Sequence, residues 1–241
     1  MDGQLRYGDD FISYRVRRQP GRHARRVAIH VEFDGRVFVD ASPEAAEADI
    51  RRAVTARARW IWTHVGEARR RLAQVLPREY VSGESLLYLG RRYRLRISVD
   101  AAGTAVALKG GYLEVRLAER DPARARAALL AWYRTRAKDV FAARLEHIAA
   151  ELPWLRQPPP LRLQAMRVQW GSCSPAGRLT LNPLLVRAPR DCIDYVLLHE
   201  LCHLRHHDHS PRFYRLLDAH MAGWRQVKAR LDGMAEAMLN V

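Results

Sequence analysis

The stretch Asp194-Tyr195-Val196-Leu197-Leu198-His199-Glu200-Leu201-Cys202-His203-Leu204-Arg205-His206-His207-Asp208-His209-Ser210-Pro211 decides how the rest of the chain is read. It contains His-Glu-x-x-His at His199, Glu200 and His203. In a helix, residues four apart differ by about 40° around the axis and by one turn in height, so both imidazoles can reach one metal ion. Glu200 is poorly placed to join the same shell, but its carboxylate can reach a water held there, which suits a general base. A continuing helix cannot supply a third ligand, because His207 lies about 12 Å of rise beyond His199. Ser210-Pro211 has the form of an N-cap and first helical residue, so the first helix is expected to end near residues 206–208 and to leave His209 at the reversal. His209 is therefore the expected third ligand, with Asp208 or Asp218 the next choices. One zinc per chain is the cofactor that this donor set implies.

With 10 His and 12 Glu in 241 residues, such a motif arises by chance in about 2% of chains of this composition. Two further features separate this stretch from chance. Ile193, Leu197, Leu201 and Leu204 fall in one helical arc of about 80°, apart from the histidine face. The third histidine also stands at a plausible turn. The spacing from His203 to His209 matches the metzincin pattern, yet His206 occupies its glycine position and no Met-turn can be assigned, which argues against an ordinary metzincin.

The 241 residues can bury a core as one large or two modest domains. A hydrophobic content of 48% with 14 Gly and 12 Pro excludes a disordered chain. The formal net charge is +15, and among 41 Lys and Arg only Lys109, Lys138 and Lys228 are lysines. A basic surface attracts nucleic acid, nucleotides or acidic proteins, although a solvated basic surface is the commoner case. Cys173, Cys192 and Cys202 have no Cys-x-x-Cys spacing, so neither a disulfide framework nor a cysteine zinc knuckle is indicated. No leader-like apolar region opens the chain, and no apolar run approaches 18 residues. A soluble cytoplasmic protein with no membrane partner is expected.

Residues Ser13 to Asp40 alternate apolar and polar positions, and Asp34-Gly35 is a strong turn signal, so an antiparallel meander is expected. Ser42-Pro43-Glu44 should open a helix running to about Leu76, with His64 an ordinary helix residue. Two hairpins follow, one turning at Gly90-Arg91 and one at Gly110-Gly111, with Arg92, Arg94 and Arg96 on one solvated face. Asp121-Pro122 starts a long helix to about Ala150, and Gln157-Pro158-Pro159-Pro160 reads as a connector. Leu161 to Met166 reads as a strand, Trp170 to Gly177 as a loop, and Arg178 to Asn182 as a strand. No repeat of fixed period is visible.

The run Gln169-Trp170-Gly171-Ser172-Cys173-Ser174-Pro175-Ala176-Gly177-Arg178-Leu179-Thr180-Leu181-Asn182 is followed by Ala188-Pro189, Asp194-Tyr195-Val196, the His199 to Leu204 motif and His209-Ser210-Pro211-Arg212-Phe213. Together these resemble the YgjP-like metallopeptidases, zincins related to SprT-like and WLM-type proteases. The resemblance extends upstream through Ala58-Arg59-Trp60-Ile61 and Ser82 to Tyr93. It implies a single zinc on His199, His203 and His209, with Glu200 as catalytic acid/base. Substrate is left open, since members are assigned as peptidases from the motif and the family has also been associated with nucleoside triphosphate hydrolysis.

The expected fold is α+β: an N-terminal antiparallel β-rich region with a helix over 1–156, and a minimal zincin-like catalytic half over 157–241 with its active-site helix beside a small sheet, the proline run being at most a boundary between subdomains and one continuous domain the alternative. In zincins a free strand edge beside that helix pairs with an extended peptide, and Arg178 to Asn182 is the candidate edge. Trp170 and Cys173 read as packing residues, and Cys173 lacks a paired base for a nucleophile role. Zinc-dependent hydrolysis of a polypeptide is the leading function. The alternatives are metal-dependent hydrolysis of a nucleoside triphosphate, which would need arginines in place of the absent phosphate-binding loop, and a nucleic-acid-associated protease. A merely structural zinc would not need Glu200. The sequence leaves oligomeric state open.

Overall fold

The computed structural model describes residues 2–18, 27–31, 35–73, 78–101, 103–166 and 169–240. Contacts divide the chain into two compact units, Met1–Leu76 and Pro77–Val241.

The first unit opens with β1 (Asp2–Tyr7), β2 (Asp10–Arg18), β3 (Ala28–Val31) and β4 (Val37–Ala41). Alternation along β2 buries Ile12, Tyr14 and Val16 while Ser13 and Arg15 face water. The sheet order is β1-β2-β4-β3, and the central pair β2 and β4 is parallel, with Tyr14 opposite Val37. The expected meander is corrected on this point, and β1 is a strand the sequence reading did not anticipate. Alternation fixes which face each residue takes but is blind to strand direction. Asp34 of the expected Asp34-Gly35 turn lies outside the described residues; Gly35 itself takes the left-handed φ of 79°. The expected single helix is two: α1 (Glu47–Ala56) and α2 (Ala58–Ala73), divided at Arg57 with φ −112° and ψ 17°. Residues 42–45 form a turn closed by Ala45 N–H on Ser42 C=O. Ile50, Val54, Ile61 and Val65 recur at helical spacing and seal the core of this unit with Ile12, Val39 and Ala41.

The second unit begins with β5 (Ser85–Tyr88), β6 (Arg91–Val99), β7 (Ala105–Lys109) and β8 (Tyr112–Leu117). Both expected hairpins are present. Their sheet order, β5-β6-β8-β7 with a parallel central pair, repeats the topology of the first sheet. Helix α3 (Pro122–Ala150) starts where Asp121 accepts hydrogen bonds from the Ala123 and Arg124 N–H groups. It buries Ala125, Leu129, Tyr133, Ala137, Phe141 and Leu145, one residue in every four.

Strands β9 (Leu161–Leu163), β10 (Gly171–Cys173) and β11 (Leu179–Leu181) then form a small sheet of order β10-β11-β9. A 3-10 helix (Pro183–Arg187) leads into α4 (Arg190–Cys202), α5 (Pro211–His220) and α6 (Trp224–Leu239). Leu95, Leu113, Phe141, Leu179, Leu197, Phe213 and Met238 belong to one core. The expected division at 156/157 therefore falls inside this unit, and the proline run is continuous with the sheet, since Pro160 C=O accepts from Leu179 N–H. Helix α4 is buried on nearly every side rather than along one stripe. Arg144 of α3 clamps it with two hydrogen bonds to Asp194, at 2.7 and 2.9 Å. Among the described residues no helix is long and apolar enough to cross a membrane.

Candidate metal centre

Helix α4 delivers His199 and Glu200 to the middle of the second unit. It ends at Cys202, earlier than expected, where the Leu204 and Arg205 N–H groups bond only three residues back, to the Leu201 and Cys202 carbonyls, and tighten the last turn. His203 still has helical dihedrals, φ −67° and ψ −18°, so the four-residue spacing places its ring beside that of His199. The chain then reverses, and Ser210 and Pro211 take the N-cap and first helical positions of α5; the Ser210 side chain makes no cap hydrogen bond, while Pro211 suits a place where its missing N–H would have no helical partner. His209 is the last residue before that cap.

The reversal brings one ligand atom from each of His199, His203 and His209 within 4.8 Å of the others. His199 Nε2 and His209 Nε2 are 3.1 Å apart. Two nitrogens held by one tetrahedral zinc would be about 3.3 Å apart, so the spacing suits a shared ion. Neither Asp208 nor Asp218 belongs to this group. Asp218 is occupied elsewhere, accepting from Trp224 Nε1 at 2.7 Å and Arg225 at 2.8 Å.

The surroundings orient the rings. His203 Nδ1 lies 3.0 Å from the His206 carbonyl oxygen. A carbonyl only accepts, so Nδ1 carries the hydrogen and Nε2 keeps the lone pair a metal needs. His199 Nδ1 is buried with no hydrogen-bond partner among the described residues. Phe213 of α5 is fully buried, and its ring centroid lies 4.9, 4.6 and 4.9 Å from those of His199, His203 and His209. Beside it, Tyr195, Trp224 and Tyr214 form a near-parallel stack. Burial, together with the neighbouring His203 and His209, holds the His199 imidazole well below its ordinary pKa, and burial also lowers His203. Both are neutral at physiological pH, the form that binds a metal. The donor set therefore fits a zinc ion.

Glu200 is buried, and burial pushes its carboxyl up to about 8. It packs beneath β10, where a Cβ added to Gly171 would come within 2.8 Å of Glu200 Oε1 and 2.9 Å of its Cγ. Gly171 was missed in the sequence; the only signal was a glycine between Trp170 and Ser172. The residues expected to form a loop from Trp170 contain β10. The expected edge strand from Arg178 to Asn182 is instead the central β11, bonded to a neighbour on each side. The free edge beside Glu200 belongs to β10. Asn182 N–H donates to Trp170 C=O and Ser174 N–H to Arg178 C=O. By two-residue alternation, Gly171 and Cys173 turn their main-chain groups away from β11. Buried Asn182 fixes the approach to β10, donating through Nδ2 to the Met166 carbonyl at 2.7 Å and accepting from Leu184 N–H. Burial, with Glu200 nearby, pushes the Cys173 thiol to about 11 and Cys202 to about 12. Both stay protonated at neutral pH and are poor nucleophiles.

Comparison with protein families supplies the deciding observation: a family model described as YgjP-like, metallopeptidase domain, matches residues 25–234. The chain belongs to the YgjP-like metallopeptidase family. As a YgjP-like protein it is a hydrolase of the metal-dependent peptidase class. Among solved structures it is similar to the metallopeptidase zymogen of Pyrococcus abyssi abylysin, with 22% identity, a TM-score of 0.34, and coverage of 42% of this chain and 93% of that one. It is also similar to the zymogen of Methanocaldococcus jannaschii jannalysin, at 18% identity and a TM-score of 0.34, covering 41% of this chain and 96% of that one. Comparison with curated proteins found no match.

Proposed function

We propose that His199, His203 and His209 hold one zinc ion per chain and that Glu200 is the general base in hydrolysis of a polypeptide. The observation that carries this reading is the convergence of one ligand nitrogen from each of three histidines within 4.8 Å of one another, with Glu200 next to the first of them on α4. A zinc ion in such a shell lowers the pKa of a water and polarises a substrate carbonyl. Glu200 takes the proton of the attacking water and returns it to the leaving amine. A carboxyl whose buried seat shifts it toward neutrality suits both transfers.

The outward edge of β10 holds the substrate in this reading. An extended segment pairing with the Gly171 and Cys173 main-chain groups would lie against Glu200, and sheet addition would fix its carbonyl without demanding particular side chains. Two pockets lined by paired arginines, Arg57 with Arg59 and Arg91 with Arg190, share no residue with the histidine cluster. No observation at this centre favours the phosphoanhydride reading.

The test is Glu200→Gln in zinc-loaded protein, measured side by side on unfolded polypeptide and on nucleoside triphosphates. Glutamine keeps the size and can hydrogen-bond a water but cannot accept a proton. Polypeptide hydrolysis should fall by at least about 10²–10⁴-fold with metal content unchanged. Wild-type turnover in the Gln protein would withdraw Glu200 as base. Turnover of nucleotides alone would withdraw the polypeptide.

A further inference from the structure

The first unit carries a second candidate site, independent of the metal centre. Where α1 gives way to α2, Ala56, Arg57, Arg59, Trp60, Thr63 and His64 line an open groove of about 510 Å³. Trp60 is 40% exposed although it lies on a helix whose Ile61 and Val65 are sealed in the core. Its position is fixed from one side: His64 Nδ1 bonds the Trp60 carbonyl at 2.9 Å, and the imidazole lies 4.3 Å from the indole ring at a tilt of 33°. The Trp60 indole N–H has no partner among the described residues, whereas Trp62 on the neighbouring face donates to Asp10. Arg57 and Arg59 are exposed, and among the described residues no carboxylate pairs with either. The sequence alone marks His64 as no more than an ordinary helix residue.

We infer that this groove binds single-stranded nucleic acid, one base stacking on Trp60 and the flanking phosphates meeting Arg57 and Arg59. An indole held at a fixed angle accepts the face of any base, and the exposed Arg57 and Arg59 guanidinium groups on the same groove supply charge for the backbone. The volume is of the size a nucleotide unit fills. An acidic peptide would satisfy the arginines but would leave the indole without a flat partner. The chain's net charge of +15 adds a long-range attraction that draws a polyanion to this surface.

The experiment uses the zinc-loaded 241-residue chain and a labelled mixed-sequence single strand of about a dozen nucleotides, within the span a stacking groove commonly serves. Binding is read by fluorescence anisotropy across a salt series. Trp60→Ala should weaken binding on the order of 10-fold, while Trp60→Phe, which retains a stacking face, should recover most of it. The Arg57→Gln/Arg59→Gln pair should lower the slope of log affinity against log salt by about 1.4, the value for two phosphate contacts on a single strand. A pair matched in charge but lying in the second unit, Lys109→Gln/Arg120→Gln, should leave that slope nearly intact. Glu200→Gln should bind as the wild type does, which keeps the outcome separate from the peptidase reading. The inference is overturned by any of three results: no binding at low salt, equal weakening by both charge pairs with no effect of Trp60→Ala, or a mononucleotide binding as tightly as the strand.

Discussion

Gly171 lies over Glu200 so closely that a single methyl group on it would stand 2.8 Å from the carboxylate oxygen. Leu181 closes the same space at 3.0 Å, so the added carbon could not move aside into the sheet. Gly171→Ala should therefore push the Glu200 carboxyl out of register. A displacement of about 1 Å at a reacting group commonly costs on the order of 10²-fold in rate, and kcat for polypeptide cleavage should fall by that much. Zinc content should not change, because the atoms nearest the added carbon belong to Glu200 and Leu181 rather than to a histidine. A fully active Ala protein would mean that Glu200 does not work from this seat.

Removal of the metal with a chelator should abolish hydrolysis, and added zinc should restore it. In His209→Ala the bound zinc, counted by elemental analysis, should drop from one per chain to a small fraction. Full occupancy in that variant would move the third ligand elsewhere, with Asp208 the remaining local choice, since Asp218 is held by Trp224 and Arg225.

Phe213 touches all three imidazoles from within the core, so its loss should act on stability and on metal together. Phe213→Ala should cost about 3–5 kcal/mol of stability in a thermal or denaturant melt. Phe213→Leu refills most of the volume and should keep the fold while losing the aromatic ring that packs against the three imidazoles. Its zinc affinity, measured by competition with a chelator, should still fall. An unchanged affinity in the Leu protein would reduce Phe213 to a filler.

The first unit should have its own acid limit. Asp40 on β4 is buried, which works against its ionised form, but hydrogen bonds from His30 and Arg17 outweigh burial and hold its carboxyl below the ordinary 3.8. A folded pKa below the unfolded one gives stability that is complete above about pH 4 and is lost as pH falls through the depressed value. Asp40→Asn should lower the stability of the first unit at neutral pH and flatten this acid dependence. Parallel acid melts for the two proteins would remove Asp40 from the account.

The spacing within the His199 stretch was enough to pick out all three candidate ligands. Helical pitch is a local property, and a Ser-Pro pair after a His-rich run signals a turn whatever surrounds it. The long α3 was legible for the same reason, through Asp121-Pro122 at its start and an apolar residue at every fourth place. Strand faces were legible too, because alternation is local.

Strand direction and neighbours were not. The parallel pairing of β2 with β4, and the central rather than edge position of β11, depend on segments far apart in the chain finding one another, and no short window of sequence records that choice. The boundary between units was hidden likewise, since Leu95 and Phe141 share a core with Leu179 and Leu197 across the proline run. Gly171 looked like a loop glycine until tertiary packing set Glu200 beneath it. Local periodicity named the chemistry of this chain, and only the packing of distant segments decided which strand edge, which glycine and which aromatic floor stand around it.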